Sequence, residues 1–148
     1  MPKLRSMSEV LDLAIARETE SHRFYVELAR LVTRPEVRRM IGRLATDELQ
    51  HKLHLQAVKA GEVALPGDDQ VGSLGIEETI HEPVPLPEMS YTDLLVIAMK
   101  KDKAAFRLYT NLASIATTEA LRELLEKLAQ QEAEHKLHLE LEYDLATF

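Results

Sequence analysis

Glu48-Leu49-Gln50-His51-Lys52-Leu53-His54-Leu55 returns 84 residues later as Glu132-Ala133-Glu134-His135-Lys136-Leu137-His138-Leu139. The same shift lays residues 6–58 on 90–142 without a gap and gives 17 identities in 53 positions. Among them are Tyr25/Tyr109, Leu28-Ala29/Leu112-Ala113, Thr33/Thr117 and Leu44-Ala45/Leu128-Ala129. A third identical with no gap exceeds what shared helical composition yields, so the chain is an internal duplication.

Each copy reads as a helical hairpin. In the first, Leu11, Ile15, Glu18, His22, Tyr25, Leu28 and Val32 follow helical spacing, then Val37, Ile41, Leu44, Glu48, His51, Leu55 and Val58. In the second the stripes are Leu95, Ala98, Asp102, Phe106, Tyr109 and Leu112, then Leu121, Leu125, Leu128, Glu132, His135 and Leu139. Ser6-Met7-Ser8-Glu9 reads as a capping box, Thr33-Arg34-Pro35-Glu36 as a second start, and Gly61 as a stop. No segment alternates with period 2. The spacing predicts four helices, at about residues 8–32, 35–60, 90–115 and 119–143, an all-α bundle.

Four of the five Gly and four of the six Pro fall between Gly61 and Pro87, which marks 61–89 as one long connection between repeats at about 6–60 and 90–143. Extended, it could cover ~90 Å, ample for a crossover along the bundle and long enough to let hairpins exchange between subunits. The whole of 1–148 is expected to be one domain.

The balance of charge and the missing residue types bound the function. Net charge is −7, and no basic stripe offers a footprint for nucleic acid. With no Cys, a disulfide framework, a thiolate zinc site, a rubredoxin-type centre and a Cys nucleophile are excluded within these 148 residues. The longest apolar run, Leu94–Met99, is far short of the ~20 residues that span a bilayer. Met1-Pro2-Lys3-Leu4-Arg5-Ser6 lacks a signal-peptide pattern, so a cytoplasmic location is expected.

The repeat also aligns residues that do not belong in a core: Glu18 with Asp102, Glu48 with Glu132, and His51 with His135. Their neighbours at i±3, i±4 and i±7 are mostly apolar, so all six lie on inward stripes. If the first hairpin turns near Thr33, Glu18 lies 15 residues before the turn, and Glu48 and His51 lie 15 and 18 after it. At ~1.5 Å per residue both sides are about 22–27 Å from the turn and meet at one level. Thr117 gives the same result for Asp102 against Glu132 and His135. Glu and His at i, i+3 project from one helix face and can reach one ion.

Four ionised carboxylates in an apolar layer would cost several kcal/mol each unless paired, on the order set by effective desolvation. Lys and Arg are missing from the inward stripes, whereas two divalent cations would balance four carboxylates. Four carboxylates and two imidazoles suit iron or manganese, and zinc could substitute. A Glu from each of two helices and Glu-x-x-His from each of the other two is the general pattern of ferritin-like di-iron and di-manganese four-helix bundles, with Asp102 in one Glu position here.

Ala14-Ile15-Ala16-Arg17-Glu18, Phe24-Tyr25, Leu28-Ala29 and Leu44-Ala45-Thr46-Asp47-Glu48-Leu49-Gln50-His51 resemble the rubrerythrin-like branch of the ferritin-like superfamily. Asp102, Tyr109, Leu112-Ala113 and Glu132-Ala133-Glu134-His135 repeat the pattern, and the resemblance covers about residues 6–143. It implies a ferritin-like bundle with a di-iron centre held by Glu18, Glu48, His51, Asp102, Glu132 and His135. The implied activity is oxidation of a ferrous pair by hydrogen peroxide or dioxygen, of peroxidase or ferroxidase type. An external electron-donor protein and at least a homodimer are implied as partners. The chain departs from the pattern at Asp102, one methylene shorter than the usual Glu. It departs again at Ala105, where rubrerythrins carry a further carboxylate, so the metal centre carries over more fully than the peroxidase activity. A binding protein for iron storage, metal carriage or a metal-stabilised scaffold is the second reading. An oxygenase acting on an organic molecule is a third, which the chain's short length disfavours for want of room for a substrate pocket.

Tyr25 and Tyr109 lie two turns after Glu18 and Asp102 and are read as hydroxyl donors to the metal carboxylates as well as core aromatics. His54 and His138, rotated ~60° from the inward direction, are read as rim or inter-helix packing, with an outer-shell or accessory metal role as the alternative, and His22, whose repeat partner is Phe106, as packing. Lys52 and Lys136 are expected to face water.

Overall fold

The computed structural model describes residues 7–61 and 88–148. They form four helices, α1 (Met7–Leu31), α2 (Pro35–Lys59), α3 (Tyr91–Ile115) and α4 (Glu119–Thr147), with no strand among the described residues. No described helix is long and apolar enough to cross a membrane. The Ser6 capping box and nearly all of the 61–89 connection lie outside the described residues.

Local chemistry sets the helix ends. Pro35 opens α2, where its missing N–H costs nothing, but the N-cap is Arg34 with no side-chain cap, not Thr33. Instead Arg38 reaches back, its Nε and Nη2 donating to the Val32 carbonyl at 3.0 and 2.7 Å. α2 ends at Ala60 and Gly61, whose φ of +75° is a conformation that glycine adopts without a Cβ penalty. Ser90 and Thr118 cap α3 and α4 by accepting from the Asp93 and Leu121 amides, each at 3.2 Å. α4 runs four residues past its expected end. Nothing in Asp144-Leu145-Ala146-Thr147 breaks a helix, and Glu142 anchors the preceding turn to the rest of the bundle.

Packing is extensive within each hairpin, α1 on α2 and α3 on α4, and much thinner between hairpins, where α1 meets α3 and α2 meets α4. Tyr25 bonds Asp102 and Tyr109 bonds Glu18, so positions rise along α1 as they fall along α3. α1 and α3 are therefore antiparallel, and α2 runs parallel to α3. The end of α2 and the start of α3 thus lie at opposite ends of the bundle, about 37 Å apart for a 25-residue helix. A crossover the length of the bundle is required, as the sequence suggests.

The apolar core is divided in two. One cluster near the start of α1 gathers Leu11, Leu55, Leu112, Leu121, Leu125 and Leu128, among others. The other, near the α1–α2 turn, gathers Leu28, Val32, Ile41, Leu94, Leu95 and Leu139. Between them lies a layer of buried charge.

At the α1–α2 end, Arg34 donates to both oxygens of buried Glu142 at 2.8 Å and the Tyr91 hydroxyl donates to one at 2.6 Å. The clasp ties the first turn, the start of α3 and the end of α4. Lys52 is a correction to the sequence reading: it is only 5% exposed. Here α2 is enclosed on more than one face, since Leu53 and Ala57 are buried too, while Lys136 stays half-exposed and pairs with Glu140 at 3.2 Å.

Candidate metal centre

Glu18, Glu48, His51, Asp102, Glu132 and His135 all sit in the layer between the two apolar clusters, and none is more than 3% exposed. Each helix contributes: Glu18 from α1, Glu48 and His51 from α2, Asp102 from α3, Glu132 and His135 from α4. Donor atoms of Glu18, Glu48, His51 and Glu132 lie within 4.8 Å of one another, and so do those of Asp102, Glu132 and His135. The two groups share Glu132.

Nδ1 of each histidine faces the layer. His51 Nδ1 is 3.1 Å from Glu132 Oε1, 3.5 Å from Glu48 Oε1 and 3.6 Å from Glu18 Oε2. His135 Nδ1 is 3.3 Å from Glu48 Oε1. The two imidazoles lie nearly parallel, with centroids 6.2 Å apart. Their outer nitrogens are engaged across the hairpins: His51 Nε2 meets Gln131 Oε1, and His135 Nε2 meets Asp47 Oδ2 at 3.0 Å. Asp47 and Gln131 are repeat equivalents, so the same device occurs twice with a carboxylate in one copy and an amide in the other. An acceptor at Nε2 holds a proton there, so Nδ1 is the nitrogen that would give up its proton and ligate a cation in the layer, as second partners of ligating histidines arrange. Sequence reading missed both residues. They precede the Glu of each Glu-x-x-His by one position, but which ring they touch depends on how the hairpins pack.

The tyrosines act across the hairpins too. Tyr25 donates to Asp102 Oδ1 at 2.7 Å and Tyr109 donates to Glu18 Oε1. Burial and the neighbouring carboxylates, Asp102 for Tyr25 and Glu18 for Tyr109, push both phenols well above their ordinary value, so they remain donors. Each phenol fixes one carboxylate oxygen and leaves the other, Asp102 Oδ2 and Glu18 Oε2, buried without a hydrogen bond. Glu48 Oε1, Glu132 Oε2 and His135 Nδ1 are buried without one as well.

The charge states show how poorly the layer balances itself. Burial and the charges of Glu18 and Glu132 raise Glu48 well above the ordinary carboxylate range. Burial and Glu132 push Asp102 up to about 9, against the hydrogen bond from Tyr25. Burial alone would lower His51, yet its bond to Glu132 and the nearby Glu18 carboxylate carry it up to about 10. Glu132 is held below its ordinary value, since bonds from His51 and Glu48 outweigh its burial. The layer holds protons where cations would otherwise serve. Buried oxygens without donors, carboxylates and imidazoles in reach of each other, and two overlapping donor groups fit a pair of divalent cations.

Of the other histidines, His22 Nδ1 lies 2.8 Å from the Ala45 carbonyl and ties α1 to α2, a packing role. His54 is half-buried and His138 exposed.

Residues 3–65 match the family model described as Rubrerythrin. The rubrerythrin match spans α1, its turn and α2, and so includes Glu18, Glu48 and His51; the repeat places Asp102, Glu132 and His135 at the equivalent positions of the second hairpin. No curated protein matches the chain. A solved structure of a hypothetical protein from Pyrococcus furiosus is 24% identical over 95% of this chain and 89% of that one, with a TM-score of 0.75. That likeness shows the shared fold.

Proposed function

We propose that this protein is a rubrerythrin-like non-haem di-iron oxidoreductase whose ferrous pair is oxidised by hydrogen peroxide or dioxygen. The observation that carries the reading is the buried layer of six donors from four helices, with five of its atoms lacking any hydrogen bond. When bound, a pair of iron ions supplies two electrons by passing from ferrous to ferric.

The chain's own residues position and insulate. Tyr25 and Tyr109 each hold one oxygen of Asp102 and Glu18, leaving the other free to ligate. Asp47 and Gln131 keep the protons of His135 and His51 on the outer nitrogens, so Nδ1 faces the layer. Glu132 belongs to both donor groups, and Glu48 Oε1 lies between the histidines, 3.5 Å from His51 Nδ1 and 3.3 Å from His135 Nδ1. The apolar clusters on either side exclude bulk water and hold the donors in register. Electrons for repeated turnover come from an external donor protein, or the ferrous substrate itself is consumed. A homodimer is the assembly proposed.

The test is anaerobic loading with ferrous iron followed by stopped-flow mixing with peroxide or oxygen. Rapid ferric absorbance over many turnovers with an added reductant is expected. A single oxidation followed by retained iron would instead establish the storage reading. Failure to take up iron would end both.

A further inference from the structure

A groove of about 580 Å³ opens between α1 and α3 and reaches Glu18. Its lining follows the 84-residue repeat: Leu13 and Ile97, Arg17 and Lys101, and Ser21 and Ala105 are equivalent pairs. The groove therefore straddles the approximate two-fold axis on the α1/α3 flank of the charged layer. Small side chains, Ala16, Ser21, Ala104 and Ala105, contribute to the opening, and of its lining residues Ala105 and Glu18 are buried. The bundle thus has room that its short length did not suggest.

Chemistry differs between floor and mouth. The walls are apolar, from Leu13, Ile97 and the alanines, while the mouth carries Arg17, Lys100 and Lys101. Lys101 is committed, bound to Glu20 and lying 5.3 Å over the Phe24 ring. Arg17 and Lys100 are exposed and make no ion pair among the described residues. Glu20 also lines the opening and offsets Lys101, which leaves Arg17 and Lys100 as the two cations there without a carboxylate partner among the described residues. A volume of this size suits a small organic ligand, which apolar walls bury and a few polar groups orient.

We propose that the α1/α3 groove binds a small amphipathic organic anion, a monocarboxylate with a short aliphatic tail. The carboxylate pairs with Arg17 and Lys100 at the mouth, and the tail runs along Leu13 and Ile97 to Ala104 and Ala105. This site goes beyond the di-iron reading and does not require it, because no lining residue but Glu18 belongs to the charged layer.

The probe is octanoate, titrated by calorimetry into the full chain as purified, with octan-1-ol as the uncharged comparison. The zinc-exchanged protein locates the site by amide shifts in NMR spectra. The expected result is one saturable site with shifts concentrated at Ser21, Ala104 and Ala105, and octan-1-ol binding at least tenfold more weakly. R17Q/K100Q should weaken octanoate about tenfold and leave octan-1-ol unchanged, and Ala104→Leu should weaken both. Absence of saturable binding, shifts elsewhere on the bundle, or octan-1-ol binding as tightly as octanoate would overturn the proposal. Iron uptake measured on the same preparations reports separately on the di-iron reading.

Discussion

The Asp47 carboxylate of α2 lies 3.0 Å from Nε2 of His135 on α4, whereas the equivalent acceptor for His51 is the uncharged amide of Gln131. Two histidines related by the repeat thus differ in the basicity that their outer partners confer. A carboxylate behind an imidazole strengthens it as a ligand, and loss of such a partner typically costs about 10–100-fold in metal affinity. Asp47→Asn should weaken one of two bound ions by about that factor. Gln131→Glu should tighten the other. Chelator competition with manganese or zinc reads both, and equal loss at both ions in Asp47→Asn would contradict the assignment.

Glu132 belongs to both donor groups, while Glu18 belongs to one and Asp102 to the other. Glu132→Ala is therefore expected to cost both ions, and Glu18→Ala or Asp102→Ala only one. Elemental analysis of the purified variants decides this. Unchanged stoichiometry in Glu132→Ala would remove that residue from the ligand set.

Stability of the metal-free protein should fall as pH rises. Asp102 moves from an ordinary value of 3.8 up to about 9, and His51 from 6.5 up to about 10. Between each pair of values the native state binds more protons than the unfolded chain, so unfolding free energy decreases with pH. The stabilising contribution is complete below the lower value and gone above the upper one. The two windows overlap between about 6.5 and 9. Glu132, held low, acts with the opposite sign but only in the acid range, below its ordinary 4.5. Cations compete with these protons, so metal affinity should rise across the same window and loading should release protons. Urea unfolding of metal-free and loaded samples at pH 6, 7.5 and 9 checks the first point. Calorimetry in buffers of different ionisation enthalpy checks the second. A pH-independent metal-free protein would contradict the charge assignments.

Tyr25→Phe leaves Asp102 Oδ1 buried without a donor. An unsatisfied buried acceptor costs about 1–3 kcal/mol, and the loaded protein, in which Asp102 is ionised, should lose about that much in denaturant unfolding. Tyr109→Phe should do the same through Glu18. A change smaller than 0.5 kcal/mol in both would mean that water replaces the phenols, which the burial of the layer argues against.

Much of the bundle was legible in the sequence because the duplication carries it. A repeat of 84 places Glu18 against Asp102 and Tyr25 against Tyr109 before any coordinate is known, and helix rise brings Glu18 level with Glu48 and His51. What escaped was whatever breaks the repeat or depends on how the halves dock. Glu142 corresponds to Val58, so symmetry gives no hint of its clasp with Arg34 and Tyr91. Lys52 and Lys136 are equivalent by sequence but differ in burial. Asp47 and Gln131 look like ordinary helix-surface polar residues until α2 and α4 come together.

The division of the apolar core into two clusters on either side of a charged floor bears on how the chain assembles. Each hairpin turns back on itself within a few residues and buries most of its own contacts, so both can collapse early and separately from local interactions. Joining them means closing like-charged carboxylates face to face, a step that stalls until protons or cations neutralise the seam. Protons on Asp102 and His51 can do this near neutral pH, so cations become needed for docking only as the solution turns alkaline and those protons leave.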